Sequence, residues 1–119
     1  METIEFIHTG WLYKQSRHVK RWRRRYTVLT ETHIMTFNSA AMTDTPTELL
    51  LIKNCKNVKS AEKVTNAPYS FSVEHERSLF FFYCESSDEK QKWMELINKG
   101  IKTPIIRNVR KYTEDTSDE

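Results

Sequence analysis

Glycine is nearly absent from this 119-residue chain, with Gly10 and Gly100 the only two. No glycine-rich phosphate loop or dinucleotide fingerprint can be built from so few, and GxSxG and HExxH are missing as well. These absences remove the common nucleotide-dependent and hydrolytic enzymes, and the expectation is a non-catalytic domain. Cysteine is equally scarce. Cys55 and Cys84 stand apart, with no CxxC and no nearby histidine pair, so the sequence predicts buried free thiols and neither a disulfide framework nor a zinc site. His8, His33 and His75 lack metal-ligand spacing and read as structural; no metal, cofactor or catalytic group is expected. No apolar run approaches the roughly 18 to 20 residues that span a bilayer. The first residues, Met1 to Phe6, carry Glu2 and Glu5 where a secretory signal would be positive. The expected location is cytoplasmic, with any membrane contact peripheral.

What is present is charge of one sign. The 19 Lys and Arg outnumber the 16 Asp and Glu by only 3, but four of the acids lie in the terminal TEDTSDE, so residues 1–112 set all 19 bases against 12 acids. No acid occurs between Glu5 and Glu31. Within that gap SRHVKRWRRRY, residues 16–26, holds five arginines, a lysine and a histidine, interleaved with Trp22 and Tyr26. A one-signed stretch in a folded region attracts polyanions through a field that salt weakens.

At this length the chain can bury one core but hardly two, since domains usually take about 100 to 200 residues. GWLYKQ and WRRRYTVL alternate, and HIMTFN is rich in β-formers; with the polar turns Ser16–Arg21 and Thr30–Thr32 between them, they predict a three-stranded meander. ELLLI, CKNVKSAE, YSFSVEH and LFFFYCE follow as four more short strands, the break before YSFSVEH marked by Asn66, Ala67 and Pro68. SSDEKQKWMELINKGI is different in kind. Ser86 and Glu89 have capping-box spacing, and Trp93, Met94, Leu96, Ile97 and Ile101 follow a helical period. Gly100 is placed for a C-cap and Pro104 prevents continuation. The fold class expected is mostly β with one α-helix: seven strands in a bent β-sandwich or partial barrel, capped by a C-terminal helix. The domain is expected over residues 4–101, with 102–119 a linker or flexible tail.

Alternation divides the basic residues between two faces. Gly10, Leu12 and Lys14 share one face of the first strand, and Arg23, Arg25, Thr27 and Leu29 share one of the second. Leu12 and Leu29 belong in a core, so the inward face runs from apolar to cationic. If the strands pair through the hairpin at 16–21, Lys14, Arg23 and Arg25 converge at the mouth of the barrel. Arginine forks bind phosphate bidentately and lysine adds a compact charge, so such a group would hold a multiply phosphorylated ring. Alternation alone leaves a second reading open, a solvated basic edge that discourages sheet aggregation. Arg24 alternates to the outer face. Arg17, His18, Lys20 and Arg21 in the hairpin loop are candidates for membrane contact. Lys53, Lys56, Lys59 and Lys63 read as soluble surface.

The order GWLYKQSRHVKRWRRRYTVL, then short strands, then a helix with DEKQKWMELI resembles a pleckstrin homology (PH) domain over essentially residues 4–101. In that family the helix tryptophan packs into the core, and Trp93 matches it. The phosphoinositide-binding subset carries a lysine in the first strand, then a basic residue, any residue, an arginine and a hydrophobic residue in the second. Lys14, Arg23, Arg25 and Tyr26 fit this pattern. Within the family, GWLYK with VKRWRRRY is similar to the N-terminal domain of the Akt (protein kinase B) kinases and to the cytohesins, and the start near Met1 leans toward the former. The resemblance implies recognition of 3-phosphorylated inositol lipids, with Arg23 and Arg25 on the 3-phosphate and Lys14 between neighbouring phosphates. It also implies phosphoinositide-containing membranes and inositol polyphosphates as partners, peripheral membrane recruitment in signalling, and a kinase domain following in cis. The chain departs from highly selective relatives in having Thr36 and Thr47 where they add a tyrosine and basic groups, and Phe80 near the position of an arginine.

Two other classes compete. A PH-like protein-interaction scaffold without selective lipid binding would explain the missing auxiliary bases. Nucleic-acid binding would use the interleaved arginines and aromatics, but the charge concentrates in one hairpin instead of tracking a groove, and no RNP-type signature occurs, so nucleic acid is disfavoured as a partner.

Overall fold

The computed structural model describes residues 5–16, 20–76 and 78–103. Seven antiparallel strands are followed by a helix: β1 (Phe6–Gln15), β2 (Trp22–Thr30), β3 (His33–Phe37), β4 (Glu48–Leu51), β5 (Cys55–Ser60), β6 (Ser70–His75), β7 (Ser78–Tyr83) and α2 (Ser87–Lys102), with a one-turn α1 (Glu62–Thr65) between β5 and β6. The sheet order is β4-β3-β2-β1-β7-β6-β5. β1 pairs with β2 along its length but with β7 only at Tyr13↔Tyr83 and Lys14↔Phe82. That short join lets the two halves of the sheet face each other.

Between them lies one core, with Leu12, Leu29, Ile34 and Leu50 from β1 to β4 meeting Phe71, Val73, Phe80 and Phe82 from β6 and β7. LFFFY alternates as a half-buried strand must: Phe80 and Phe82 are buried while Leu79 is 48% exposed. α2 closes one end. Its N-cap Ser86 accepts a hydrogen bond from the Glu89 N–H at 3.2 Å, and its buried stripe is Trp93 and Ile97. Trp93 is fully buried, lying over Gly10, where a β-carbon would stand 3.6 Å from its Cζ2, and edge-on to the His8 ring.

Three local expectations are corrected. β1 begins at Phe6, four residues before the GWLYKQ alternation. CKNVKSAE is a strand only to Ser60, since Ala61 ends it and Glu62 opens α1. Gly100 is not a C-cap: the helix continues to Lys102 and Thr103 caps it, its N–H and hydroxyl both donating to the Lys99 carbonyl. Gly100 lies inside the last turn beside Ile52 of the 3-10 turn at Ile52–Asn54, where a β-carbon would meet Ile52 Cγ2 at 3.6 Å, an ordinary van der Waals contact.

The scarcity of glycine has a structural consequence. Among the described residues four take left-handed backbone, Lys20, Met42, Asn66 and Tyr69, and none of them is glycine. Asn66 tolerates this at the end of α1, whereas such a conformation costs the others roughly 1–2 kcal/mol each. Cys55 and Cys84 are buried free thiols, which burial pushes up to about 11 and about 12.

α1 is tied to α2 through Glu62, whose carboxylate accepts from the Lys90 ammonium and the Ser70 N–H. The Lys90 bond holds this carboxyl below its ordinary value. A lowered folded value means stability present above the unfolded value and lost as pH falls through the folded one. Glu62→Gln should therefore cost about 1 kcal/mol or less at about pH 7, the carboxylate being partly open to solvent, and the difference should narrow as pH falls through the lowered folded value, as urea titrations at neutral and acid pH would show. Trp93→Ala should lower stability by about 3–5 kcal/mol, and a melt superimposing on the parent's would contradict its place in the core.

Candidate phosphate-binding cleft

The β1–β2 ladder positions the basic residues. Its register sets Lys14 opposite Arg23, Leu12 opposite Arg25, Gly10 opposite Thr27 and His8 opposite Leu29. Directly paired residues share a face, so Lys14, Arg23 and Arg25 lie on the same side as Leu12 and Leu29. β3 and β4 extend the rows, aligning Leu29, Ile34 and Leu50 in one and Thr27, Thr36 and Glu48 in the next. The inner face is thus graded. Buried aliphatics come first, then the buried hydroxyls of Thr27 and Thr36, then cations.

At the cationic end a cleft of about 170 Å³ is lined by Lys14, Ser16, Arg23, Arg25 and Thr47. The three residues singled out in the sequence are brought together there. Arg25 donates through Nη1 to the carbonyl of Arg24 at 3.0 Å. Partial burial and the neighbouring Arg23 charge lower its affinity for its proton. Among the described residues neither Arg23 nor Arg25 is ion-paired with a carboxylate. Two guanidinium groups crowded in this way have a deficit of negative charge between them.

Lys14 is placed differently. Its Nζ is 3.1 Å from Glu48 Oε1 and 5.3 Å from the centre of the Phe80 ring, with the Lys14 and Glu48 side chains only 12% and 22% exposed. Sequence reasoning missed Glu48, which lies 34 positions from Lys14 in a strand whose pairing the local pattern does not specify. Thr47, beside it, is held to β3 by its N–H and hydroxyl, both donating to the Thr36 carbonyl, and by a 2.6 Å contact between the two hydroxyls.

The outer face receives Arg24, as alternation predicts. Its guanidinium stacks 4.1 Å from the Trp11 ring centre, in a group of rings in which Trp11 meets Tyr26 and Tyr83 meets both Tyr13 and Trp22. Of the loop candidates, Arg17 and His18 lie outside the described residues. Lys20 and Arg21 are exposed at the hairpin, whose base is closed by Ser16 N–H donating to the Arg21 carbonyl at 2.8 Å. Among the described residues no group of three His, Cys, Asp or Glu could hold a metal, and no helix is long and apolar enough to cross a membrane.

A strongly bent antiparallel sheet, one closing helix with a buried tryptophan, and a cationic cleft at the first hairpin define a class of domain. The chain belongs to the PH domain family, whose model matches residues 6–102. It is 33% identical over 108 residues to Pleckstrin homology domain-containing protein 1 of Arabidopsis thaliana, covering 84% of this chain and 74% of that protein. It is 32% identical over 118 residues to the RAC serine/threonine-protein kinase of Drosophila melanogaster, covering 88% of this chain but only 18% of the kinase. Among solved structures, the C-terminal PH domain of pleckstrin in complex with D-myo-Ins(1,2,3,5,6)P5 superimposes with a TM-score of 0.72 at 22% identity, over 85% of this chain and 100% of that one. The Slm1 PH domain in complex with phosphoserine does so at 0.72 and 20% identity, over 82% and 97%. These two likenesses concern the fold.

The opposite environments of adjacent arginines should appear in stability. Arg25→Ala relieves repulsion from Arg23, so stability should stay within about 0.5 kcal/mol of the parent or rise, most at low salt. Arg24→Ala removes a cation–π contact and should cost about 0.5–1 kcal/mol. Paired chemical denaturation of the two variants at low and high salt checks this.

Proposed function

We propose that this PH domain is a non-catalytic phosphoinositide-binding module that recruits its protein peripherally to membranes, recognising 3-phosphorylated inositol lipids through Lys14, Arg23 and Arg25. The observation that carries the reading is the cleft itself, in which two arginines without a carboxylate partner among the described residues and one lysine meet on a face whose other end is core. Guanidinium forks suit the oxygens of a phosphate monoester, and the Ser16 and Thr47 hydroxyls suit the hydroxyls of a sugar-like ring. Soluble inositol polyphosphates offer the same groups. Lys20 and Arg21, with Arg17 and His18, would meet the anionic leaflet, each nearby basic side chain adding roughly 1 kcal/mol.

The finer reading makes the domain the N-terminal regulatory module of an Akt-like serine/threonine kinase, with a kinase domain in cis. The match to the Drosophila RAC kinase supports it. The Arabidopsis relative, of which the chain spans 74%, supports a module acting without a kinase. Coding sequence downstream of Glu119 decides between these two arrangements.

The membrane reading is tested by sedimentation with phosphatidylserine vesicles, with and without 3-phosphorylated phosphoinositide, and by calorimetric titration with a soluble inositol polyphosphate. Arg25→Ala should weaken phosphoinositide-dependent binding about 10- to 100-fold, matching the ~1.5–3 kcal/mol of a hydrogen bond to a charged group. Arg24→Ala should lower only the general anionic attraction, although both variants lose the same charge. Equal binding to both kinds of vesicle, or equal weakening by the two variants, would reduce the cleft to a basic hairpin.

A further inference from the structure

Glu48 is a carboxylate at the edge of a cleft suited to anions, ion-paired with Lys14 of its lining. It stands on β4 in the row of Thr27 and Thr36, and from there its side chain reaches the Lys14 ammonium at 3.1 Å. The pair is largely withdrawn from water, with side chains 12% and 22% exposed, so solvent screens it less than a surface pair. The cleft is therefore divided. Among the described residues no carboxylate compensates the positive charge around Arg23 and Arg25, while around Lys14 the charge is matched. A phosphate entering beside Arg23 and Arg25 gains two guanidinium partners. A second phosphate on the adjacent ring position would meet an ammonium already occupied, with a carboxylate beside it. It must either displace Glu48 or accept its repulsion. A ring hydroxyl in the same place can donate to the Glu48 carboxylate and accept from the Lys14 ammonium, at no electrostatic cost.

Resting on the phosphoinositide reading, we propose that Glu48 is a specificity-determining residue: by neutralising Lys14 it makes the cleft favour head groups with a single ring monoester, held by Arg23 and Arg25, over those with adjacent phosphates. Glu48 acts through the discrimination between head groups and not through affinity in general. Its removal changes a ratio of affinities, which a merely structural role would leave unmoved.

The experiment titrates the described chain calorimetrically with two soluble head groups, an inositol bisphosphate carrying one ring monoester besides the phosphate that stands for the lipid's diester, and an inositol tetrakisphosphate with adjacent monoesters. Glu48→Gln keeps the shape and removes the charge. It should tighten the tetrakisphosphate about tenfold, in line with removing one close unfavourable charge, and change the bisphosphate less than about twofold. With Lys14→Met added to Glu48→Gln, the tetrakisphosphate affinity should fall back toward the parent's, since the ammonium that Glu48→Gln frees is then gone. An unchanged ratio of the two affinities in Glu48→Gln, or a gain that survives in full when Lys14→Met is added, overturns the proposal while leaving a phosphoinositide module. Absence of binding to either head group in the parent and in Glu48→Gln alike overturns the module itself. Binding that appears only in Glu48→Gln supports the counter-charge.

Discussion

The register of the β1–β2 ladder is the constraint on which the rest of this molecule depends. Side chains alternate with a period of two, so a slip of one residue would turn Trp11 and Tyr13 toward the core and expose Leu12, exchanging the face of every side chain on the slipped strand. The register is fixed by burial. Leu12 and Leu29 are 1% exposed, and Gly10, two residues before Leu12, lies under the indole of Trp93. No attraction among Lys14, Arg23 and Arg25 is needed to gather them. They are carried to one place because the apolar ends of the same strands have only one favourable way to pack.

Gathering them is unfavourable in itself. Arg23 and Arg25 repel, and the partial burial of Arg25 adds to the cost. The opposing term comes from the core, where Trp93, Phe71, Phe82 and Ile97 are fully buried and each large apolar side chain withdrawn from water contributes about 1.5–3 kcal/mol. Between the two ends lies the layer of Thr27 and Thr36, which allows the change from hydrocarbon to cation without leaving polar atoms stranded: Thr27 donates to the Arg25 carbonyl and Thr36 meets Thr47. A core that can bear a strained site is the usual condition for function in so small a domain.

What was legible in the sequence was whatever period and composition encode locally. The seven strands, the capped helix, the core roles of Leu12, Leu29 and Trp93, and the split of Arg23 and Arg25 from Arg24 all follow from alternation or helical spacing, and the PH resemblance rests on the same residues. What escaped depended on pairings remote in sequence. Glu48 reaches Lys14 at the edge of the cleft only because β4 lies beside β3, and a single glutamate at the start of ELLL carries no sign of it. Gly100 was misread for a related reason. A glycine near a helix end usually marks a cap, but here Ile52, from the turn after β4, packs against it and the helix runs on. α1 is one turn long, too short to leave a period, and is held by Lys90 from α2.

Counting charges would treat the three consecutive arginines as one patch, whereas the structure gives them two different partners. Arg24 spends its charge on the face of Trp11, on the side away from the cleft, where the ring quadrupole already satisfies it. Arg23 and Arg25 face the cleft with no carboxylate among the described residues to match them. Any polyanion can be drawn to the hairpin by the sum of its charges, and that attraction falls as salt rises. Only a ligand that delivers negative charge between Arg23 and Arg25, on a ring small enough for a cleft of about 170 Å³, recovers the cost of crowding them. Nucleic-acid backbone can supply phosphates but not a compact ring bearing them, so on the proposed reading shape, set by the ladder register, would favour an inositol phosphate over a phosphodiester strand of equal charge.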